Sequence, residues 1–361
     1  MKKIAIIYLL WGDEPQRYLD RALVGIIAQT YSRDNLHLLV VYNPKEGIPS
    51  AVPFIRERLV ATGNLPPATV LEQEKNLGFS GANNAGMRWA VEHEFDYAFL
   101  HNADGYLHPQ AIEKLASVMQ NDDKIGEVQA LTLLYPETNL INSAGNSWHY
   151  LGVGFCRFFR EPLAQHEFLP TEEIGYASGA AALMRCDLLK KHGYWNEDFF
   201  MYHEDTEYSL RLRMFGYKII LSSEAIFYHE YEFLKSVTKY YWLERNRYAL
   251  NIVFYKWPTL ILLLPLELVY DLGLLFLSWR NGWLKEYLAA WTYWFTRANW
   301  KIWLAHRHNI QAVRQVSDRE FMCHTAMIIS SGGLVASRLI VLVANVIFTV
   351  YYFLVRMLLW W

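Results

Sequence analysis

The stretch FLHNADGYLHP, residues 99–109, decides the fold class. The apolar run 97–100 predicts a buried strand, and the polar turn after it contains Asp104 and Gly105, before a helix predicted to begin at Pro109. Asp before Gly is common in turns, so Asp104 can be interpreted as a turn residue. In open α/β sheets, however, ligands bind just beyond the carboxyl ends of strands, which makes Asp104 a candidate metal ligand.

Strand patterns and helix patterns alternate through the first 230 residues. Strands are predicted at 3–10, 36–42, 69–71 and 97–100, and helices at 17–30, 52–61, 78–92 and 109–120. This alternation predicts an α/β fold with a mostly parallel central sheet that is covered by helices on both faces. Such a sheet commonly binds a nucleotide along its strand ends.

The overall composition excludes several classes of protein. The 361-residue chain has a net charge of −2, so it has no basic surplus for binding nucleic acid. Its three cysteines share no short spacing, which indicates neither a disulfide framework nor a zinc site. The N-terminal stretch MKKIAIIYLLWGDEP lacks a small-residue cleavage site, so we interpret it as the first strand rather than a signal peptide.

A glycine-rich segment, NLGFSGANNAG at residues 76–86, follows the third predicted strand. The glycine fingerprint of dehydrogenases follows the first strand, and a P-loop needs Gly-Lys-Ser/Thr, which this sequence lacks. The segment can open a helix whose free amides face a diphosphate. Alternatively, Ser80 caps the helix and the glycines serve only close packing.

A cluster of acids lies in NEDFFMYHEDTEYSLRLRMFGYKI, residues 196–219. A helix is predicted at 205–215, and Glu204, Asp205 and Glu207 lie at its start, where acids also favour the helix dipole. The aromatic run before them would partly desolvate a carboxylate, as in many general bases. His229 follows the strand-like segments 217–221 and 225–228 and is a candidate partner of Asp104 in a metal site.

Together these motifs resemble the family 2 glycosyltransferases of the GT-A fold, especially bacterial rhamnosyl- and galactofuranosyltransferases. The resemblance covers roughly residues 4–254. It rests on five segments in order: NLGFSGANNAG, LHNADGYLHP, FFMYHEDTEYSLRLRMFGYKI, IFYHEYEF and YYWLERNRYALNIVFYKWP. It implies a GT-A nucleotide-sugar-binding domain at 1–256, followed by a helical membrane-associated region at 257–361.

The resemblance also implies roles for individual residues. Asn102 and Asp104 occupy the Asp-x-Asp metal motif, and Asp104 with His229 would bind the Mg²⁺ or Mn²⁺ that bridges the donor diphosphate. Asp205 matches the catalytic base, and Glu204 beside it would position the acceptor. The donor-binding residues would be Tyr8, Leu9, Asn76, Gly78, Asn84, Asn102 and Asp104.

One position departs from the family pattern. After the second strand the family usually has Asp-Asn, and its Asp contacts the nucleotide base. This chain has Tyr42-Asn43 there, which leaves the nucleotide open, with UDP- or TDP-linked donors expected.

The resemblance implies an inverting, metal-dependent transfer of a hexose from a nucleotide-diphosphate sugar to a hydroxyl of a glycan, in cell-surface polysaccharide synthesis. The membrane anchor predicted below suggests that this acceptor is lipid-linked. Arg245 and Arg247 would contact the lipid phosphates. No Gln-x-x-Arg-Trp signature of processive synthases occurs, so we expect one sugar per encounter.

The last hundred residues predict a membrane anchor. Nine of the 14 tryptophans follow Lys256, and aromatic residues beside long apolar runs are typical of membrane interfaces. Residues 339–361 predict a transmembrane helix. The apolar run 259–279 contains two acids, so a re-entrant hairpin is favoured there over a full span, and 283–308 predicts an interfacial amphipathic helix.

The charge of this region predicts its orientation. Between residues 280 and 338 there are eight basic and three acidic residues, and basic loops stay in the cytoplasm. We therefore expect an inner-membrane protein with a cytoplasmic catalytic domain. An exported loop between two spans is the less favoured alternative.

Two other functions remain open from the sequence. The chain could transfer sugar directly to a polyprenyl phosphate, in which case a phosphate oxygen is the nucleophile and Asp205 matters less. It could also be a non-catalytic membrane scaffold that keeps only the fold.

Overall fold

The computed structural model describes residues 1–231, 237–330 and 338–361, and the chain forms two compact units. The first comprises Met1–Asn146, Cys156–Leu212 and Tyr217–Tyr231, and the second comprises Ser147–Phe155, Arg213–Gly216 and Glu232–Trp361. The helix Lys239–Phe254, which the sequence analysis assigned to the catalytic domain, belongs to the second unit because it packs against the helices that follow it.

Strands and helices alternate along the first two-thirds of the chain. In chain order they are β1 (Ile4–Leu10), α1 (Gln16–Ile27), β2 (Leu36–Tyr42), α2 (Val52–Ala61), β3 (Ala68–Glu72), α3 (Gly78–Glu92), β4 (Tyr97–His101), β5 (Gly105–Leu107), α4 (Ala111–Gln120), β6 (Ile125–Leu134), β7 (Ile141–Ser143), β8 (Asn146–Trp148), β9 (Gly154–Cys156), β10 (Thr171–Glu173), β11 (Ala181–Arg185), α5 (Cys186–His192), α6 (Glu204–Met214) and β12 (Lys218–His229). The four strands and four helices predicted up to residue 120 are all present.

The sheet of the first unit is mixed and mostly parallel. Its strand order is β10-β12-β6-β11-β4-β1-β2-β3, with β5 paired to β12 and β7 paired to β6. The pairs β4-β1, β1-β2, β2-β3 and β12-β6 are parallel, whereas β11 is antiparallel to both of its neighbours. The predicted α/β class is confirmed, and the antiparallel insertion of β11 is an addition that the alternation did not indicate.

Both faces of this sheet are buried. Successive side chains of a strand point to opposite faces, so Ile4, Ile6 and Tyr8 of β1 pack on one side while Ala5 and Ile7 pack on the other. The first side is covered by α1, α2 and α4, and the second by α3, α5 and α6. The carboxyl ends of β1, β2 and β4 therefore meet at one edge of a rigid sheet, which is where the candidate residues lie.

The second unit is helical. It contains α7 (Lys239–Phe254), α8 (Trp257–Asn281), α9 (Leu284–Tyr293), α10 (Arg297–Val313), α11 (Asp318–Met322) and α12 (Arg338–Leu358). The run 259–279 lies in one continuous helix, not in the expected re-entrant hairpin, because Pro265 is accommodated within α8. The predicted interfacial segment 283–308 is two helices. Among the described residues, α8 and α12 are long and apolar enough to cross a bilayer.

Candidate active site

Asp104 and His229 lie side by side because two distant strands pair. β5 follows the Asp104 turn and pairs antiparallel with the end of β12, which places His229 opposite Gly105. A Cβ at Gly105 would lie 2.0 Å from the ring of Phe227, so only glycine lets the strands approach this closely. The pairing brings Nε2 of His229 to 2.8 Å from Oδ1 of Asp104.

The hydrogen bonds of His229 suit a metal ligand. Its Nδ1 lies 3.0 Å from Oδ1 of Asn142, an acceptor, so we assign the proton to Nδ1 and the lone pair to Nε2. That lone pair faces the Asp104 carboxylate, and Nδ2 of Asn102 is 3.4 Å away. Two acceptors at this distance require a shared proton or cation, and metal-bound histidines commonly donate their other N–H in this way.

Asp104 and His229 can hold a hard divalent ion only if the substrate supplies further ligands. Among the described residues there is no group of three or more His, Cys, Asp and Glu side chains placed to hold a metal. One carboxylate and one imidazole match sites in which phosphate oxygens and water supply the remaining ligands. Asn142, which sequence reasoning missed, carries no local signal because it is 87 residues from His229.

Tyr8 and Leu9, predicted to border the nucleotide, are buried in the core. The hydroxyl of Tyr8 donates to the carbonyl of Ala103 at 3.0 Å, so this side chain supports the Asp104 turn from below. Leu9 packs in the core on the opposite face of the sheet. The structure thus gives Tyr8 a supporting position and Leu9 a packing position.

The glycine-rich segment is held by Asn43, the residue after β2. Its amide accepts from the main-chain N–H of Leu77 at 2.9 Å and donates to Asn76 and to the carbonyl of Gly78, both at 3.2 Å. Asn76 in turn accepts from the N–H of Gly78 at 2.9 Å. Asn43 therefore fixes the loop that opens α3, whereas Asn76 itself is exposed.

Asn84 is committed to the interior of the protein. Its amide donates to the carbonyl of Trp195 at 2.8 Å and to Glu197 at 2.9 Å, and it accepts from the N–H of Trp195 at 3.0 Å. The side chain is fully buried. It ties α3 to the segment before α6, so its predicted contact with the donor would be indirect.

The segment leading into α6 adopts an unusual backbone. Phe200, Tyr202 and His203 all have φ between 63° and 69°, a region that non-glycine residues rarely occupy. Gly78, with φ of 71°, lies against this segment, and a Cβ there would be 2.5 Å from the Phe200 ring. Such strain persists only where the surroundings impose it, and it clusters at functional sites.

Asp205 and the Asp104 turn are connected through one short segment. The main-chain N–H of Gly179 donates to Oδ2 of Asp205 at 3.1 Å, and the carbonyl of Ala180 accepts from the N–H of Asn102 at 3.0 Å. Residues 179–180 precede β11, so the antiparallel insertion of that strand joins the two halves of the site. Gly179 and Ala180 were not predicted, since their role depends on strand pairing.

The carboxylates at the start of α6 differ in their surroundings. Burial raises the pKa of Asp205, while hydrogen bonds from Gly179 and Thr206 oppose the shift. Burial and the charge of Asp205 raise the pKa of Glu204 well above its ordinary range. Within the described residues Oε2 of Glu204 has no hydrogen-bond partner. Asp205, which main-chain amides hold in place, is therefore the better candidate for the general base.

Tyr42, where the resemblance implies an aspartate, is buried. A Cβ at Gly12 would lie 2.9 Å from the Tyr42 hydroxyl, so the phenol crosses the loop after β1. Beside it, at the ends of β2 and β3, is a cavity of about 430 Å³ lined by Tyr42, Pro44, Ile48, Ser50 and residues 72–74.

Arg245 and Arg247 lie in the interior of the second unit. The guanidinium of Arg247 donates to three carboxylates: Glu244 (2.9 Å), Glu267 (2.6 Å) and Asp271. The guanidinium of Arg245 lies 4.5 Å from the ring centre of Trp242. Both side chains are buried, and their contact with lipid phosphates stays a prediction.

Comparison with known proteins identifies the family. A sequence profile described as "Glycosyltransferase like family 2" matches residues 7–248. The low-salt glycan biosynthesis hexosyltransferase Agl10 of Haloferax volcanii is 24% identical over 139 residues, which cover 38% of this chain and 44% of that protein. The chain thus matches less than half the length of this curated relative.

Solved structures show the same fold. GalNAc-T7, crystallised with UDP, GalNAc and Mn²⁺, is similar with a TM-score of 0.55 and 13% identity, over 71% of this chain and 48% of that one. The mannosyltransferase PcManGT of Pyrobaculum calidifontis, in complex with GDP-Man and Mn²⁺, is similar with a TM-score of 0.50 and 13% identity, over 97% of this chain and 87% of that one. At this identity the likeness shows the fold alone.

Proposed function

The chain belongs to glycosyltransferase family 2, and on that premise we propose that it is an inverting, metal-dependent hexosyltransferase. Its donor is a nucleotide-diphosphate sugar and its acceptor is a hydroxyl of a lipid-linked glycan. It adds one sugar per encounter, at the cytoplasmic face of the inner membrane, during assembly of a cell-surface polysaccharide.

One observation carries this proposal. The segment 179–180 hydrogen-bonds to Asp205 on one side and to Asn102 of the Asp104 turn on the other. A carboxylate with a raised pKa is thereby held rigidly relative to a carboxylate–imidazole pair that suits a divalent ion. A single displacement at an anomeric carbon needs this combination of one base and one site for the leaving diphosphate.

Each of these residues has a separate role in the reaction. A Mg²⁺ or Mn²⁺ bound at Asp104 and His229 would neutralise the charge that develops on the departing diphosphate. Asp205 takes the proton from the acceptor hydroxyl while that oxygen forms a bond to the anomeric carbon. The bond from that carbon to the phosphate oxygen breaks, the nucleoside diphosphate leaves, and the configuration inverts. Glu204, beside Asp205, would position the acceptor.

Other features support rigid binding of the donor. The loop that opens α3 is fixed by Asn43, and the positive end of the α3 dipole favours a diphosphate nearby. The cavity beside Tyr42 lies where the strand ends would place the nucleotide base. The buried Tyr42, where the resemblance implies an aspartate, supports a different contact with the nucleotide base in this chain.

The test is ligand-dependent thermal stability of the detergent-purified protein. UDP, TDP and GDP are each added with and without Mn²⁺, to the native protein, to Asp104→Ala and to a control, Asp123→Ala, whose carboxylate is exposed. A ligand at 100 times its dissociation constant stabilises by about 2.7 kcal/mol.

We expect one nucleotide to raise the melting temperature only with Mn²⁺, in the native protein and in Asp123→Ala, but not in Asp104→Ala. If no nucleotide stabilises the native protein, the donor site is not formed. The non-catalytic scaffold then becomes the better interpretation.

A further inference from the structure

The two apolar helices of the second unit each bury one side and expose the other. The side of α8 that includes Thr259, Leu263 and Glu267 is buried, whereas Leu264, Leu268 and Leu272 are at least half exposed. In α12, Phe348, Tyr352 and Val355 are buried, whereas Leu342, Val346 and Val350 are exposed. A helix that crosses a bilayer alone would instead be surrounded by lipid on every side.

From Asn345 to its end, the buried side of α12 lies against the short helix α11 and the irregular segment 323–329 that follows it. The side chain of Asn345 exchanges hydrogen bonds with the main chain of Ile329, at 2.9 and 3.2 Å. The hydroxyl of Tyr352 donates to the carbonyl of Met322 at 2.9 Å, and the N–H of Asp318 donates to the carbonyl of Trp361 at 2.8 Å.

These contacts are incompatible with a transmembrane position of α12. From Asn345 to Trp361 the helix and its end extend for about 24 Å at 1.5 Å per residue, most of the roughly 30 Å thickness of a hydrocarbon core. The partner segment 318–329 contains the exposed residues Arg319, Glu320 and His324. Irregular, lipid-exposed backbone does not occur inside the hydrocarbon region.

The buried side of α8 is equally polar. Glu267 and Asp271, near the middle of the helix, both accept from Arg247 of α7, and Asn251 of α7 donates to Glu267 at 2.7 Å. The hydroxyl of Tyr287 in α9 donates to the carbonyl of Asp271 at 3.0 Å. Since α7 and α9 contain several charged residues, α8 lies on a polar helical unit and not in a membrane-spanning bundle.

α8 and α12 contact each other, and each has an exposed apolar side. The hydroxyl of Tyr351 donates to the carbonyl of Leu262 at 2.6 Å, which joins the two helices. We define the apolar face as the exposed residues Leu264, Leu268, Leu272, Leu342, Val346 and Val350. Large exposed apolar surfaces mark interaction sites.

The charges nearby indicate what covers the apolar face. Residues 280–330 contain seven basic and three acidic side chains, and Arg280, Lys285, Arg297 and Lys301 are exposed. Trp279 and Trp360, near the ends of α8 and α12, are also exposed. Apolar residues with tryptophans at the helix ends and a basic surround fit the interface of an anionic bilayer.

We propose that α8 and α12 form a monotopic membrane-binding face, which inserts into one leaflet of an anionic bilayer without crossing it. Both helices lie in the plane of the interface, with the apolar face in the acyl region and the polar helical unit outside it. This replaces the predicted span at 339–361. The proposal does not depend on the transferase activity.

Cysteine labelling tests the topology of the full chain. The background is Cys323→Ser, which removes the exposed cysteine, and the background without a reporter gives the blank. Single reporters are Val60→Cys in α2 as the reference, Asn281→Cys at the C-terminal end of α8 and Trp360→Cys after α12. All three native residues are exposed.

An impermeant maleimide is added to right-side-out and to inverted membrane vesicles. We expect all three reporters to react from the same side of the membrane. Reaction of Asn281→Cys or Trp360→Cys from the side opposite to Val60→Cys would overturn the proposal, because the corresponding helix would then cross the bilayer.

Flotation with lipid vesicles tests the face itself. We expect the native protein to float with vesicles that contain phosphatidylglycerol. The double variant Leu342→Asp, Val346→Asp should lose more than about tenfold in vesicle affinity, because two apolar side chains can no longer insert. The matched control is Val60→Asp, an equally exposed apolar residue outside the face, which should bind as the native protein does.

Two outcomes of the flotation would refute the proposal. If the double variant binds vesicles as well as Val60→Asp, the apolar face does not contact lipid. If the native protein ignores the vesicles and light scattering shows a dimer that the double variant loses, a second copy of the chain covers the face instead.

Discussion

Replacement of Asp205 by asparagine should lower kcat much more than it lowers the stability of the fold. Loss of a general base lowers kcat by about 10²- to 10⁴-fold, which corresponds to about 2.7–5.5 kcal/mol in the activation barrier. The structural cost is smaller. The carboxylate accepts from the main-chain amides of Gly179 at 3.1 Å and Thr206 at 2.6 Å. Asparagine can accept only one of them, and an unsatisfied amide costs about 1–3 kcal/mol of stability.

The assay is release of nucleoside diphosphate from the donor that stabilises the protein, in the presence of a lipid-linked acceptor. The native rate should fall as the pH drops through the raised pKa of Asp205, because the protonated acid cannot accept the acceptor's proton. Asp205→Asn should lack this acid limb, and Asp123→Asn serves as the matched exposed control.

A loss in kcat of less than about tenfold in Asp205→Asn would refute this assignment of the base. If activity is retained with polyprenyl phosphate as acceptor, the alternative function is supported, since an ionised phosphate oxygen needs no base. If the melting temperature of Asp205→Asn falls in proportion to its kcat, Asp205 has a structural role instead.

Three further outcomes are expected. Glu204→Gln should flatten the pH dependence of the melting temperature. Because the pKa of Glu204 is raised in the folded state, its protonation stabilises the fold below the ordinary pKa of a glutamate, and this stabilisation is lost as the pH rises through the raised pKa. An unchanged pH dependence of the melting temperature in Glu204→Gln would contradict this. Asn142→Leu should weaken Mn²⁺ binding about 10- to 100-fold, measured by paramagnetic resonance of free Mn²⁺, because His229 loses the acceptor of its Nδ1–H; equal affinity would refute the assignment. Arg247→Met should lower the free energy of unfolding in detergent by about 3–5 kcal/mol, because three buried carboxylates lose their partner; native-like stability would disprove this.

Much of the candidate site could be predicted because its parts follow local patterns. The strand before Asp104, the glycine-rich start of α3 and the acids that open α6 each lie within a few residues of the feature that indicates them. The supporting residues could not be predicted in this way. Asn142 contacts His229 across 87 residues, and Asn43 contacts Leu77 across 34, so no local period relates the partners.

The α/β class, the elements up to residue 120 and the polar residues at the strand ends follow from local sequence patterns. Apolar side chains recur every 2 residues in a strand and every 3.6 residues in a helix, and this period shows which face of each element is buried. The tertiary structure alone decided that β11 runs antiparallel between β4 and β6, which connects Asp205 to the Asp104 turn.

It also decided that His229 meets Asp104 across 125 residues, and that the acids of α8 face Arg247 rather than lipid. The physical reason is the same in each case. Hydropathy shows that a helix or strand has an apolar side, but the partner of its other side depends on register and packing between segments that are far apart in the chain.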